Sequence, residues 1–366
     1  MNLEPQVERT ASPVARCLSI HAGYRCRHAG ACCTAGWEIP AEALVVDAVS
    51  RRFGNRGQLF RPNRAPDGSA VLALRPDRSC VFFDDADGRL CEIHRDLGEG
   101  LLPSACRHFP RVVLSDRRGT FVTLSHFCPT AASLLVSNEP VSIVQAPASL
   151  TLNGTAEGLD ARDVLPPLLR PNMLTDVDGY AAWENAVLDL LQAGNTAGEA
   201  LDAAARKTRR IAAWTPGARL ALRDLVGDEF ARPDADSTGN QSQPDDRLAA
   251  LALSAVPRGL AVPDVLAAAR APSSDPGAAW RAGDGIVRRY LMSKVFGNWW
   301  PYFGLDLCGV VRAIEAHAAI LKRQLARHLA ARDEQGAFLE AIRDTDLLMV
   351  HLVDFATFAG AIRGDT

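Results

Sequence analysis

Two patterns of apolar and polar positions divide the chain near residue 136. Beyond that point alanine and leucine recur every three or four residues, which is the spacing of one face of an amphipathic α-helix. The pattern predicts eight helices, at residues 179–193, 197–212, 217–230, 247–256, 262–270, 278–297, 305–332 and 336–359. Thr196 and Glu199 stand at the start of the second helix with the spacing of a capping box.

Residues 26–135 show shorter and more broken patterns. A helical pattern at residues 41–53 follows Pro40. Alternating or β-branched runs predict short strands at residues 69–75, 80–84 and 119–125. The acidic, glycine-containing sequence at residues 85–88 is typical of a turn, so it predicts a hairpin between Phe83 and Leu90.

Composition and charge exclude several classes of protein. The chain has 366 residues, of which 48% are apolar, and its net charge is −3, so nothing indicates nucleic acid or an anionic membrane as a partner. The first residues contain acids and prolines instead of the apolar core of a signal peptide. No apolar run reaches the ~18 residues of a membrane span. We therefore expect a cytoplasmic protein without a membrane partner.

Cysteine is concentrated in the first third of the chain. Seven of the nine cysteines are candidate metal ligands: Cys26, Cys32, Cys33, Cys80, Cys91, Cys106 and Cys128. Thiols in a reducing compartment stay unpaired unless a metal holds them, so the cluster indicates metal or iron–sulfur ligation rather than disulfides. Thiolates are soft ligands that suit iron–sulfur clusters and zinc. Seven exceed the four that one zinc ion or one four-iron cluster requires, so either two sites exist or some cysteines fill the interior.

Residues around the cluster leave alternatives open. Four histidines lie close to these cysteines in sequence and are either substitute ligands or residues outside the ligand shell: His28, His94, His108 and His126. His126, two residues before Cys128, is the best candidate among them. Cys308 lies in an apolar helical stretch and is expected in the core, while the polar surroundings of Cys17 argue against ligation.

Two further groups have both a functional and a structural interpretation. Arg107 and Arg111 follow Cys106 and either reduce the charge of a thiolate cluster or pair with carboxylates of the same segment. Trp299 and Trp300 either line a binding groove or fill the core at the joint of two helices, and the core is favoured.

These patterns together predict an α+β protein. We expect a polar lead-in at residues 1–25 and a small irregular cysteine-rich metal-binding domain at residues 26–135. A mostly α-helical domain at residues 136–366 follows, with a flexible loop near residues 232–246.

The order of the motifs suggests a family. They are Cys26 with Cys32-Cys33-x3-Trp37, Cys80-Val-Phe-Phe-Asp, Cys91-Glu-Ile-His, Leu97-Gly-Glu, Cys106-Arg-His-Phe-Pro-Arg and Ser125-x2-Cys128-Pro. This series resembles the YkgJ-type cysteine-cluster proteins, which are described as zinc- or iron-chelating. The tryptophan, the Leu-Gly-Glu and the Ser-x2-Cys-Pro ending are similar to the branch that contains the flagellin lysine-N-methylases. The resemblance is dense over residues 26–132 and weak beyond them.

The resemblance implies a metal or iron–sulfur cluster held by these cysteines. Its methylase branch further implies S-adenosylmethionine as cofactor and lysine side chains of a protein such as flagellin as substrate. The residues alone identify no catalytic and no cofactor-binding group, because the chain has neither a G-x-G-x-x-G turn nor a C-x3-C-x2-C triplet.

Three hypotheses follow. The first is a cluster-containing protein-lysine methylase. The second is a non-catalytic zinc- or iron-binding structural or metal-handling module, with zinc or mononuclear iron in place of the cluster and a helical region that binds a partner. The third is a redox protein, which ranks last because no C-x2-C run of the ferredoxin kind is present.

Overall fold

Short strands and many helices make up the chain, which belongs to the α+β class. The computed structural model describes residues 14–62, 65–86, 90–152, 158–193, 196–233, 246–257, 269 and 276–364. The strands are β1 (Ala15–Leu18), β2 (Pro40–Ala41), β3 (Ala70–Val71), β4 (Phe83–Asp84), β5 (Leu90–Cys91), β6 (Arg111–Asp116), β7 (Gly119–Leu124), β8 (Ile143–Gln145), β9 (Leu159–Asp160), β10 (Leu168–Arg170) and β11 (Met173–Leu174).

The helices are short before residue 152 and longer after it. They are α1 (Ser19–Ala22), α2 (Ala31–Thr34), α3 (Ala43–Phe53), α4 (Glu92–Leu97), α5 (Ser104–His108), α6 (Pro129–Ser133), α7 (Ala148–Thr151), α8 (Val177–Gln192), α9 (Ala197–Ile211), α10 (Leu222–Ala231), α11 (Asp246–Ser254), α12 (Gly277–Ala282), α13 (Asp284–Val295), α14 (Leu307–His328), α15 (Glu334–Asp346) and α16 (Phe355–Gly364). Turns of 3₁₀-helix occupy Glu99–Leu101, Leu134–Val136 and Trp300–Phe303, and a π-helix occupies Leu347–Leu352.

The largest sheet is mixed and has five strands in the order β8-β1-β7-β6-β9. β1 runs parallel to β7 and β6 runs parallel to β9, while the other neighbours are antiparallel. Successive residues of a strand point to opposite faces. Leu18 and Leu114 on one face join the large helical core, whereas Cys17 and Val122 on the other join a smaller core with Cys128.

The helical pattern predicted beyond residue 136 is confirmed for most segments, with ends shifted by a few residues. The capping box of Thr196 and Glu199 is present at the start of α9. The predicted helix at residues 262–270, apart from residue 269, and most of the predicted loop at residues 232–246 lie outside the described residues.

Two predicted helices are divided. The segment 278–297 forms α12 and α13, which meet at Gly283, where a Cβ atom would lie 2.1 Å from the ring of Phe338. The segment 336–359 forms α15, the π-helix and α16, because Asp354 caps α16 by accepting a hydrogen bond from the backbone N–H of Thr357 (2.8 Å).

The first third of the chain departs more from the prediction. The strand predicted at residues 119–125 is confirmed as β7, whereas those at residues 69–75 and 80–84 shorten to β3 and β4. The predicted hairpin is present as the antiparallel pair β4–β5, and part of its turn, at residues 87–89, lies outside the described residues.

Residues 14–25 differ from the polar lead-in that was predicted for residues 1–25, since they form β1 and α1 and pair with distant strands. The sheet also crosses the boundary predicted at residue 135, because β6 and β7 precede it while β8 and β9 follow it. Residues 19–110, which contain six of the seven candidate cysteines, are therefore an excursion between β1 and β6, and the seventh, Cys128, follows β7.

Candidate functional site

Short helices and strand ends position the candidate cysteines. Cys32 and Cys33 lie in α2, which follows Gly30 in a left-handed conformation (φ 75°). Cys91 directly precedes α4, and Cys128 directly precedes α6. Hydrogen bonds from Cys33 and from the backbone N–H groups of His94 and Ile93 lower the pKa of Cys91, so its position before α4 favours the form that binds metal.

Six of the seven predicted ligands line one cavity of about 110 Å³. They are Cys26, Cys32, Cys33, Cys91, Cys106 and Cys128. The seventh, Cys80, is absent from the described lining, and its backbone N–H donates to the carbonyl of Cys33 (2.7 Å). All nine cysteines lie within the described ranges and none of them forms a disulfide.

Hydrogen bonds among the thiols set their ionisation. The Sγ atoms of Cys32 and Cys33 lie 3.9 Å apart. Hydrogen bonding to Cys33 lowers the pKa of Cys32 and lowers the pKa of Cys91 to about 7, against the opposing effect of burial. The same hydrogen bonds raise the pKa of Cys33. The Cys33 thiol therefore donates to both neighbours, and Cys32 and Cys91 both ionise more readily than an ordinary thiol.

Burial acts on the remaining thiols. It raises the pKa of Cys80 to about 11 and raises the pKa values of Cys26 and Cys106. Nearby thiols add to this effect for Cys106. Several neutral thiols close together lose their protons together only when a cation is present to balance the charge.

Two guanidinium groups share the cavity with the thiols. Arg107 and Arg111 both line it, and the Nε atom of each is buried without a hydrogen-bond partner among the described residues. Asp84 pairs with Arg95 instead. Buried donors are almost always satisfied in native proteins. The two orphaned N–H groups therefore fit an anionic occupant, as a centre with several thiolates would be.

The histidines divide into two groups. His28 and His94 also line the cavity, with ring centroids 4.9 Å apart, and burial lowers the pKa of His94. His108 Nδ1 bonds to the carbonyl of Ser104 (2.9 Å). His126, the histidine that the sequence favoured, is absent from the described lining of this cavity and belongs to a buried network described below.

The two cysteines outside the cluster are buried to different degrees. Cys17 is fully buried on β1, where burial raises its pKa to about 11. Cys308 is only half-buried near the start of α14, and burial raises its pKa to about 11 as well. Neither lines the cysteine cavity.

Cysteine thiols are the type of ligand that a soft metal prefers. Their arrangement limits the kind of metal centre that they could hold. Within the described part of the chain, no three side chains of His, Cys, Asp or Glu are grouped closely enough to hold a single ion. The thiols line a volume instead of converging on one point. A water molecule needs roughly 10–15 Å³ of such space, so a cavity of about 110 Å³ has room for several atoms.

A second group of buried polar side chains, which the sequence did not predict, surrounds Asp346. The carboxylate of Asp346 is fully buried and accepts hydrogen bonds from Lys294 Nζ, from Tyr290 Oη (both 2.8 Å) and from the backbone N–H of His126 (2.5 Å). The Nε2 atom of His126 lies 3.2 Å from that of His21. Burial raises the pKa of Asp346, but the ammonium group and the hydrogen bonds outweigh it and hold the pKa well below its usual range.

The π-helix that follows Asp346 carries His351 into an aromatic environment. The ring of His351 lies 4.8 Å from that of Trp37, and its Nε2 atom lies 2.7 Å from Ser125 Oγ. His351 also lines a second cavity, of about 220 Å³, together with Trp299 and Trp300. π-Helices often occur at functional sites. A sequence gives little indication of one, because its apolar spacing resembles that of an α-helix.

Comparison with protein-family models, with curated proteins and with solved structures finds no match to this chain. Among the described helices, none alone has the length and apolar character to cross a membrane. One pair bent by 95°, Glu334–Leu352 with Phe355–Gly364, meets those criteria jointly.

Proposed function

We propose that this chain binds a polynuclear iron–sulfur centre through the thiols of the cysteine cavity. The convergence on one cavity of six thiols, the first and last of which are 102 residues apart, is the observation that supports this most strongly. Cysteine thiolates are the usual ligands of such clusters. The volume of the cavity and the two orphaned guanidinium N–H groups both suit an anionic occupant larger than one ion.

Cys26, Cys32, Cys33, Cys91, Cys106 and Cys128 are the ligands from which the centre would draw. When bound, the centre would supply redox chemistry and an electrophilic iron. Arg107 and Arg111 would donate to its sulfur atoms, and such hydrogen bonds raise the reduction potential of a cluster. The backbone N–H of Cys80 donates to the carbonyl of Cys33 and would hold the backbone of that ligand in place.

The narrower proposal is transfer of a methyl group from S-adenosylmethionine to lysine side chains of a protein such as flagellin. Its support is the resemblance to the methylase branch over residues 26–132. A lysine must lose its proton before it can accept a methyl group, because an ammonium ion is not nucleophilic. Substrate lysines therefore need a nearby base or a desolvating surface.

A structural zinc site is the second candidate, and one distance favours it. Two thiolates on one tetrahedral zinc lie roughly 3.8 Å apart, given Zn–S bonds of about 2.3 Å. The Sγ atoms of Cys32 and Cys33 are separated by 3.9 Å. Zinc would then hold the short helices of the excursion together and supply no chemistry.

The first test is metal analysis after anaerobic purification. Near-equal amounts of iron and acid-labile sulfide, with a broad absorption in the visible range, are expected. Cys91→Ser should lose most of the iron, whereas Cys308→Ser, outside the cavity, should retain it. A colourless protein with stoichiometric zinc, or equal iron in both variants, would overturn the iron–sulfur proposal.

The methylase proposal has its own test. Holoprotein is incubated with S-adenosylmethionine carrying a labelled methyl group and with purified flagellin. Label on flagellin lysines is expected, and the Cys91→Ser variant should transfer none while Cys308→Ser transfers normally. If the protein binds iron and sulfide but labels neither flagellin nor any protein of a cell lysate, the iron–sulfur proposal stands and the methylase proposal is wrong.

A further inference from the structure

The second cavity has the character of a small-molecule site. It lies between strands β6 and β7 and the helical body, and its volume is about 220 Å³. The sheet contributes Arg111 and Thr123, α13 contributes Lys294, and the π-helix contributes His351. Cavities of this kind, mostly apolar with a few polar groups, are the usual form of ligand sites.

Aromatic rings form much of its wall. Trp299, Trp300 and Phe355 all line the cavity. The rings of Trp300 and Phe355 have centroids 4.3 Å apart, and those of Trp299 and Phe355 lie 6.2 Å apart. The side of the cavity that these rings form suits a flat apolar group, because aromatic faces pack well against other rings. Trp299 and Trp300 therefore contribute both to the hydrophobic core and to the wall of this cavity.

One donor of this wall lacks an acceptor. The Nε1–H group of Trp299 is buried and has no hydrogen-bond partner among the described residues. Buried indole N–H groups usually find an acceptor. Trp299 lines the cavity, so a ligand that carries an acceptor would give this donor a partner.

The charges of the lining select among acceptors. Arg111 and Lys294 are cationic, and no Asp or Glu belongs to the described lining. Asp346 contacts Lys294 without belonging to that lining. His317 and His351 are neutral near pH 7, since burial lowers the pKa of each to about 4. An anion gains from such a wall, whereas a cation is repelled.

We propose that this cavity binds a small organic carboxylate with a flat aromatic body, which packs against Trp299, Trp300 and Phe355 while its carboxylate accepts hydrogen bonds from the Trp299 indole and from Lys294 or Arg111. The site is distinct from the cysteine cavity and does not rest on the metal proposed there. Among the residues that the structure describes, Arg111 is the one that lines both cavities.

Three ligands that share one phenyl body and a three-carbon chain test the proposal on the full chain as purified. They are 3-phenylpropanoate, 3-phenylpropanamide and 3-phenylpropan-1-amine, which carry charges of −1, 0 and +1 on the same body. Titration calorimetry should give the carboxylate a Kd near or below about 1 mM. The amide should bind about tenfold more weakly, and the amine should not bind measurably. Equal affinity for all three, tighter binding of the amine, or no binding of any at about ten times that concentration would overturn the proposal.

A matched pair of variants tests the indole. Trp299→Phe keeps a ring and removes the orphaned donor, so it should weaken the carboxylate about tenfold and leave the amide less affected. Trp214→Phe is the control, because its Nε1–H donates to the Leu220 carbonyl (3.0 Å) away from the cavity. Unchanged carboxylate affinity in Trp299→Phe would contradict the assigned role. If that variant fails to fold, the three ligands on the unaltered protein still decide.

Discussion

Replacing Asp346 by asparagine should destabilise the chain strongly. The side chain is fully buried, and its two oxygens accept from Lys294 Nζ, from Tyr290 Oη and from the backbone of His126. Asparagine keeps the shape but removes the charge, so the ammonium of Lys294 is left buried without compensation. Removing one partner of a buried ion pair costs about 3–5 kcal/mol of stability.

Urea denaturation followed by tryptophan fluorescence measures this loss. Lys294→Met in the Asp346→Asn background should recover about 1–3 kcal/mol, because it removes the stranded charge. Asp178→Asn is the control, since the exposed pair of Asp178 with Arg223 should contribute less than about 1 kcal/mol. Two results would contradict this role of the Lys294–Asp346 pair. One is a loss of less than about 1 kcal/mol of unfolding free energy in Asp346→Asn, and the other is that the stability changes of the two replacements are additive.

The pH dependence gives an independent check on the same residue. The pKa of Asp346 is lowered by Lys294 and by hydrogen bonds although burial opposes this, so its carboxylate adds stability above the unfolded-state pKa of about 3.9. That contribution is lost as the pH falls below about 4 toward the folded-state value. The stability gap between the unaltered chain and Asp346→Asn should therefore narrow between about pH 4 and pH 3, by up to about 1.4 kcal/mol per pH unit. A constant gap would contradict the assignment.

The remaining predictions concern packing, thiol chemistry and a helix cap. Gly283→Ala should lose about 1–3 kcal/mol of stability in urea denaturation, because its Cβ would meet the ring of Phe338. Gly285→Ala is the control and should be neutral or gain up to about 1 kcal/mol, because the nearest neighbour of its Cβ is a flexible arginine at 3.4 Å. Equal effects of the two substitutions would contradict the clash. The rate at which iodoacetamide alkylates Cys91 in metal-free protein can be followed by mass spectrometry. The rate should rise with pH with a midpoint near pH 7, because the thiolate is the nucleophile and the pKa of Cys91 is lowered to about 7. A midpoint above about pH 8.5 would show an ordinary thiol. Thr196→Ala should lose about 1 kcal/mol of stability, because it removes the capping box, and Thr196→Ser should retain that stability. An alanine variant as stable as the unaltered chain would mean that the cap is not formed in solution.

Local patterns predicted what local interactions determine. The helices after residue 136 follow from apolar spacing, and the cap at Thr196 follows from two residues three positions apart. The gathering of the cysteines was also expected, because thiols concentrated in so short a segment have few other uses. The cap at Asp354 was harder to recognise, because Thr357 contributes only its backbone N–H and no Glu or Gln completes a capping box there.

Distant pairing is what the sequence concealed. Strand β1 has four residues, too few for its alternation to differ from chance, and it is held by strands that lie 105 or more residues further on. The buried group around Asp346 is similar, since Lys294 is 52 positions and His126 is 220 positions away. A charged residue on an amphipathic helix is usually solvated, so nothing local separates Asp346 from an ordinary surface aspartate.

The cysteine-rich excursion has a consequence for how the sheet is held together. β1 ends at Leu18 and β7 ends at Leu124, so their pairing closes a loop of about 100 residues, which opposes pairing by on the order of 4 kcal/mol of chain entropy. Cys26 and Cys128 follow these two strand ends closely and line the same cavity. A metal centre bound by both would act as a cross-link at the neck of the loop. Loss of the metal would then loosen the central strands of the sheet as well as the cavity itself.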